Sequence, residues 1–130
     1  AGVLLTRVEY EKDYFLLADE AMNDLLRPAL YQAHHDVWPV MKTDNPKEKL
    51  NIVGPICETG DFLAKDINIV ASQNDLLAVK TVGAYGFVMS SNYNSRPRAA
   101  EILVDKDKHA LIRKREDYAE LIALEDKEDD

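Results

Sequence analysis

VLLTRVEYEKDYFLLA, residues 3–18, decides the fold. Val3 to Tyr10 is dense in branched and apolar side chains, EKD at 11–13 reads as a turn, and Tyr14 to Ala18 is a second apolar run. Branched and aromatic residues suit a pleated, half-buried surface, so the stretch predicts a β-hairpin. The same signal recurs along the chain. Leu50 to Val53 and DLLAVKTV (75–82) read as strands, and EILVD (101–105) and ALIRK (110–114) flank KDKH as another hairpin. Val37 to Met41 is a short strand broken by Pro39. Helical signals are brief. DEAMNDLL (19–26) predicts a short helix with Asp19 as N-cap. Pro28 restricts Leu26 and Arg27 before it, and ALYQA (29–33) is one further turn. TDNPKEK (43–49) and GAYG (83–86) read as a loop and a turn. REDYAELIAL (115–124) predicts a last amphipathic helix with Tyr118, Leu121 and Ile122 on one side. Many short strands with few short helices give the expected class: mainly β, a sandwich or barrel with short helices.

The totals bound the function. A chain of 130 residues with 46% hydrophobic content is expected to bury a real core as one domain. The single cysteine cannot form an internal disulfide, which suits a reducing compartment. With no apolar run of about 20 residues, the expected setting is the cytoplasm, without a membrane partner. The net charge is −8, and half of it lies in LIALEDKEDD (121–130), whose end from 123 is expected to be a disordered, solubilising acidic tail. RKR (113–115) is short and flanked by acids, so no nucleic-acid footprint is expected. The chain starts at Ala1 directly on a strand-like segment, as a piece cut from a longer protein would.

Familiar catalytic signatures do not occur: no G-x-x-x-x-G-K, no G-x-S-x-G and no H-E-x-x-H. His34 and His35 are adjacent and point in different directions, a poor chelating pair. The lone cysteine has no CxxC partner, so no metal is expected. Trp38, beside Pro39, is expected in the core or an interface. Cys57 is harder to explain. It stands in NIVGPICETGDF (51–62), between Gly54-Pro55 and Gly60-Asp61, with Glu58 directly after it. Free cysteines usually sit in cores; this one sits in a turn-rich segment beside a carboxylate.

Four segments are unexplained by packing: MNDLLRPALY (22–31), GPICETGDFLAKD (54–66), VGAYGFVMSSNYNSRPR (82–98) and AEILV (100–104). In order and spacing, over residues 1 to about 122, the chain resembles the carboxy-terminal domain of diaminopimelate decarboxylases, pyridoxal-phosphate enzymes of the alanine-racemase-like fold. The resemblance implies a two-domain enzyme. An N-terminal barrel would carry the lysine that binds the cofactor covalently, and a C-terminal β-domain would complete active sites at a homodimer interface. It implies that the full protein converts meso-diaminopimelate to lysine and carbon dioxide, and that the 130 residues alone are inactive.

The resemblance also assigns roles. Cys57 would be the proton donor, offered from the neighbouring subunit. A free thiol titrates near about 8.5 and is mostly protonated at neutral pH. Glu58 would bind the distal ammonium of the substrate, where ornithine-type relatives typically carry aspartate. Arg27 and Tyr31 would bind a substrate carboxylate, the arginine as a planar two-bond fork. Tyr85 would touch both cofactor phosphate and substrate. Asn94, Arg96 and Arg98 would be structural or lie at an interface. Glu20 departs from the small residue usual in the family, which bears on the local backbone. Two other readings stand beside this one: a stand-alone binding or assembly module without catalysis, and a decarboxylase of ornithine or arginine.

Overall fold

The structure is a computed structural model and describes residues 1–126. Residues 127–130, half of the acidic tail expected from 123, lie outside the described part. Two compact units divide the chain, Ala1–Ser90 and a second that begins at Ser91.

The first unit holds six strands: β1 (Val3–Lys12), β2 (Phe15–Ala18), β3 (Val37–Pro39), β4 (Glu48–Val53), β5 (Phe62–Ile69) and β6 (Leu76–Lys80). They form one sheet in the order β3-β6-β1-β2-β4-β5. The edge strands β3 and β5 approach each other, so the sheet curls into a nearly closed barrel. Side chains alternate across the strands, except at the adjacent buried pair Leu63 and Ala64 of β5. Val8 of β1, Leu16 and Ala18 of β2, Leu50 and Ile52 of β4, Leu63 and Ile69 of β5, and Leu77 and Val79 of β6 fill the interior. The mainly β expectation holds, and so does the opening hairpin, with Glu11↔Leu16 and Lys12↔Phe15 in register. Its turn falls at Asp13 and Tyr14, at the end of the EKD stretch, and the φ of 53° at Asp13 is left-handed.

Three local expectations fail. Residues 19–26 form turns, not a helix. The Asp19 carboxylate accepts from the Thr6 hydroxyl (2.7 Å) and the Arg7 N–H (2.8 Å), so it serves β1 and caps nothing. Asp24 takes the Ala21 N–H at 3.0 Å. Short acidic side chains that bond nearby backbone offer the chain an alternative to a helix. The helix comes later, as α1 (Arg27–Tyr31), with Pro28 in its first turn, where a missing N–H costs nothing. Pro28 therefore stands in the first turn of a helix that includes Arg27, the residue it was expected to restrict. The third failure is at the C-terminal end: the helix read over 115–124 shortens to α2 (Tyr118–Leu121), opened by a capping box between Asp117 and Glu120. Strand β5 was not read from the sequence at all. Trp38 is 56% exposed, with the Lys80 ammonium 3.6 Å from its ring centroid, so it is no core residue.

The second unit carries the hairpin of β7 (Glu101–Asp105) and β8 (Lys108–Arg113), turned at Lys106 and Asp107. The segment 92–98, the end of the stretch quoted as 82–98, is built around Glu116. Its carboxylate accepts from the Arg98 N–H (2.6 Å) and the Asn92 amide (2.9 Å), and the Arg98 guanidinium lies 3.5 Å away. Those bonds hold the Glu116 carboxyl below the usual range, the Arg98 backbone contributing most and Asn92 next. The Arg98 guanidinium also reaches the Asn92 amide oxygen at 3.3 Å.

Candidate active-site rim

Strand direction collects the candidate residues. β6 runs antiparallel to both β1 and β3, pairing Lys80 with Val3 and Val79 with Val37. The end of β6 therefore meets the starts of β1 and β3. β2 is antiparallel to β1, and β4 is parallel to β2, so both β2 and β4 finish at that same end of the barrel. β5 starts there, with Phe62 beside Val53. Three segments emerge on this rim: the arm 19–36 with α1, the loop 54–61, and the turn 83–86. They carry Arg27 and Tyr31, Cys57 and Glu58, and Tyr85 respectively. All five candidates of the sequence analysis thus share one rim, though they span 59 positions of sequence.

The loop 54–61 is short and tightly bonded. Gly54 N–H donates to the Asp61 carbonyl (3.1 Å), Glu58 N–H to Ile56 (2.8 Å) and Asp61 N–H to Glu58 (3.1 Å). Ile56 and Asp61 point inward and are buried, while Cys57 and Glu58 between them are exposed. The thiol is therefore presented to solvent by an ordered bend and is not sealed in the interior. Asp61 is 3% exposed. Its carboxylate accepts from the Ile56 N–H in the loop and from the Met22 N–H in the arm, each at 2.7 Å. A Cβ on Gly54 would stand 2.7 Å from the Asp61 carboxyl carbon, so that position has room only for glycine.

On the arm, Arg27 and Tyr31 lie four residues apart in α1 and so face the same way. Arg27 is half-buried and Tyr31 is 63% exposed. Glu20 is buried, and its N–H reaches the Thr6 hydroxyl at 3.1 Å. His35 is also buried, with Nδ1 donating to the Lys80 carbonyl at 3.0 Å; His34 instead pairs with Asp36 at 2.9 Å. The two histidines serve different partners.

Tyr85 is 62% exposed, at the crest of its turn with φ +63°. Thr81 just upstream is also left-handed, φ +61°. For a β-branched residue that is an outlier, and such strain concentrates at functional sites. A Cβ at Gly86 would collide with the Val82 carbonyl, which accounts for the second glycine of GAYG.

A cleft of 860 Å³ lies elsewhere, in the seam between the open edges of β3 and β5, and none of the five candidates lines it. The five candidates stand outside that cleft, on the rim. Sequence reasoning missed Asp61 as part of it. The signal was present: a carboxylate four residues after Cys57, just before an apolar run.

Residues 1–83 match the family described as pyridoxal-dependent decarboxylase, C-terminal sheet domain. The chain belongs to that family. A diaminopimelate decarboxylase of Pseudomonas aeruginosa is 58% identical over 96% of this chain, which covers 31% of that relative. Among solved structures, diaminopimelate decarboxylase from Helicobacter pylori complexed with L-lysine superposes at a TM-score of 0.88 and 40% identity. It covers 95% of this chain, which spans 31% of it. The M. jannaschii enzyme, also in complex with L-lysine, gives 0.91 at 38% identity, 97% of this chain and 30% of that one. The chain therefore spans about a third of the length of the relatives it matches.

Proposed function

We propose that this chain is the C-terminal β-domain, residues 1–122, of a diaminopimelate decarboxylase: a lyase of lysine biosynthesis that releases carbon dioxide from meso-2,6-diaminopimelate to leave L-lysine. One observation carries the reading. The chain is 58% identical across nearly its whole length to an enzyme of that name, and its one thiol stands exposed on the rim that also holds Arg27 and Tyr31. The partners are an N-terminal barrel domain and a second subunit, which together cover the rim. The protein works in the cytoplasm, where a free thiol stays reduced. The described residues contain no helix long and apolar enough to cross a membrane.

The roles follow from the side chains. The Arg27 guanidinium holds a substrate carboxylate with two parallel N–H bonds, and the Tyr31 hydroxyl donates a third. Glu58 receives the distal ammonium. Pyridoxal phosphate, held by a lysine of the barrel domain, supplies the electron withdrawal that lets carbon dioxide leave the α-carbon. The Cys57 thiol then gives its proton to that carbon, offered across the subunit interface. The turn around Tyr85 fits the cofactor: it aims an exposed phenol, a donor suited to a phosphate oxygen, away from a backbone too tight to move. Without the barrel the 130 residues have no covalent cofactor site and no catalysis.

The test is to join the chain to a decarboxylase barrel domain, supply pyridoxal phosphate, and measure carbon dioxide release. Turnover of meso-diaminopimelate by the joined protein, and none by the chain alone, is expected. Turnover of ornithine or arginine instead would overturn the substrate. Association with a separate barrel chain that yields no turnover would favour an assembly module.

A further inference from the structure

We propose that Asp61 is a positioning residue whose buried carboxylate locks the loop presenting Cys57 and Glu58 to the arm presenting Arg27 and Tyr31. The inference rests on the decarboxylase reading for its kinetic consequence, but on geometry for its existence. The loop follows β4 and the arm follows β2, so nearby chain does not join them. One carboxylate bonds to both: one oxygen takes the N–H of Ile56, adjacent to Cys57, and the other takes the N–H of Met22, five residues before Arg27. Both partners are donors, so both positions demand acceptors. A carboxylate satisfies the pair with charge-assisted bonds. An asparagine can satisfy one and must turn its NH₂ against the other. The group is 3% exposed, where an unmet N–H is costly. Gly54 is the other half of the device. Its missing side chain is the space the carboxylate fills, since a Cβ there would come within 2.7 Å of the carboxyl carbon.

A residue that only supported the fold would change how much protein folds, not how each folded site works. A residue that holds the loop offered to the neighbouring subunit in register with the arm of its own chain sets where each stands at the interface, and changes kcat and KM together. Misplacement on the order of 1 Å costs up to about 100-fold in rate.

The experiment has two arms. Amide exchange on the unaltered 130-residue chain reads the lock directly: the Met22 and Ile56 N–H groups should both be protected, and both lose protection in Asp61→Asn. Steady-state kinetics on the full-length enzyme reads its consequence. Asp61→Asn should lower kcat about 10- to 100-fold and raise KM, with cofactor content unchanged. Gly54→Ala should reproduce this by displacing the carboxylate, and the double variant should be no worse than the more severe single one. If Asp61→Asn does not fold, Gly54→Ala and the exchange arm still decide. Unprotected Met22 and Ile56 amides in the unaltered chain would overturn the lock. Wild-type kcat and KM per loaded site in either folded variant would overturn its role in positioning. Full turnover by Cys57→Ala would sink the decarboxylase roles instead, leaving the exchange arm to judge the lock.

Discussion

Replacing Cys57 with alanine separates chemistry from folding better than any other change on the rim. The side chain is exposed, in a bend held by backbone hydrogen bonds and by the Asp61 carboxylate. Removing the sulfur opens no cavity and strands no buried partner, so stability should move by no more than about 0.5 kcal/mol. The melting temperature should then stay within about 4 °C of the parent. Turnover should respond very differently. A positioned proton donor is worth about 10²- to 10⁴-fold, which is about 3–5 kcal/mol of barrier. The two effects differ by roughly an order of magnitude and cannot be confused. The assay is carbon dioxide release and lysine formation from meso-diaminopimelate by the full-length protein, with cofactor content read from absorbance on the same sample. Cys57→Ser sharpens it, because a serine hydroxyl fills the same space and holds its proton far more tightly than a thiol. Both variants should load cofactor fully and turn over slowly. Parental turnover at full loading in Cys57→Ala would refute the donor role, and slow turnover with a lowered melting temperature would mean the loop had collapsed.

Arg27→Lys keeps the charge and removes the fork, so KM for meso-diaminopimelate should rise about tenfold or more, measured by initial rates; an unchanged KM would exclude a carboxylate at Arg27. Glu58→Asp shortens the reach to the distal ammonium by one methylene, and kcat/KM for meso-diaminopimelate should fall about tenfold relative to ornithine in a competition assay. In the second unit, the Glu116 carboxyl is held below its ordinary range, chiefly by the Arg98 N–H. A lowered carboxyl stabilises the fold above its unfolded value, and that support is lost as pH falls through the folded value. The protection of amides in residues 92–98, corrected for the intrinsic pH dependence of exchange, should therefore fall on acidification from about pH 7 to about pH 3, and Glu116→Gln should flatten that dependence.

The parts of this structure that were legible in the sequence are those governed by neighbours in the chain. Residues 3–18 specify a hairpin because their branched and apolar runs flank a polar break, and the hairpin forms. The turn at Tyr85 was legible from its two glycines. The parts that were not legible depend on distant partners. Asp19 has the form of an N-cap, but Thr6 and Arg7 of β1 claim its carboxylate, so no helix starts there. Strand β5 begins directly after a motif rich in glycine and acid and carries Lys65 and Asp66 in its middle. Its alternation breaks at the two adjacent buried residues Leu63 and Ala64, which belong to a bulged ladder with β4. No local pattern announces a strand whose period is interrupted. The site residues were legible as motifs; their shared rim was not.

That shared rim depends on a single pairing. Along the six-stranded sheet every adjacent pair is antiparallel except β2 with β4, where Phe15, Leu16 and Leu17 lie beside Asn51, Ile52 and Val53 in the same direction. A parallel pair needs a crossover of a dozen or more residues, and here it comprises the arm, α1, β3 and the loop that follows. The consequence is geometric. Since β2 and β4 point the same way and lie about 4.8 Å apart, the arm leaving one and the loop leaving the other emerge side by side. Reversing that one pair would send Cys57 to the opposite rim, away from Arg27 and Tyr85, with the same strands and much of the same core. Strand direction leaves no trace in the hydrophobic pattern, because alternation reads alike both ways. Asp61 sits where the two parallel strands end and joins their exits. The crossover thus places the thiol on the rim, and the carboxylate holds it there.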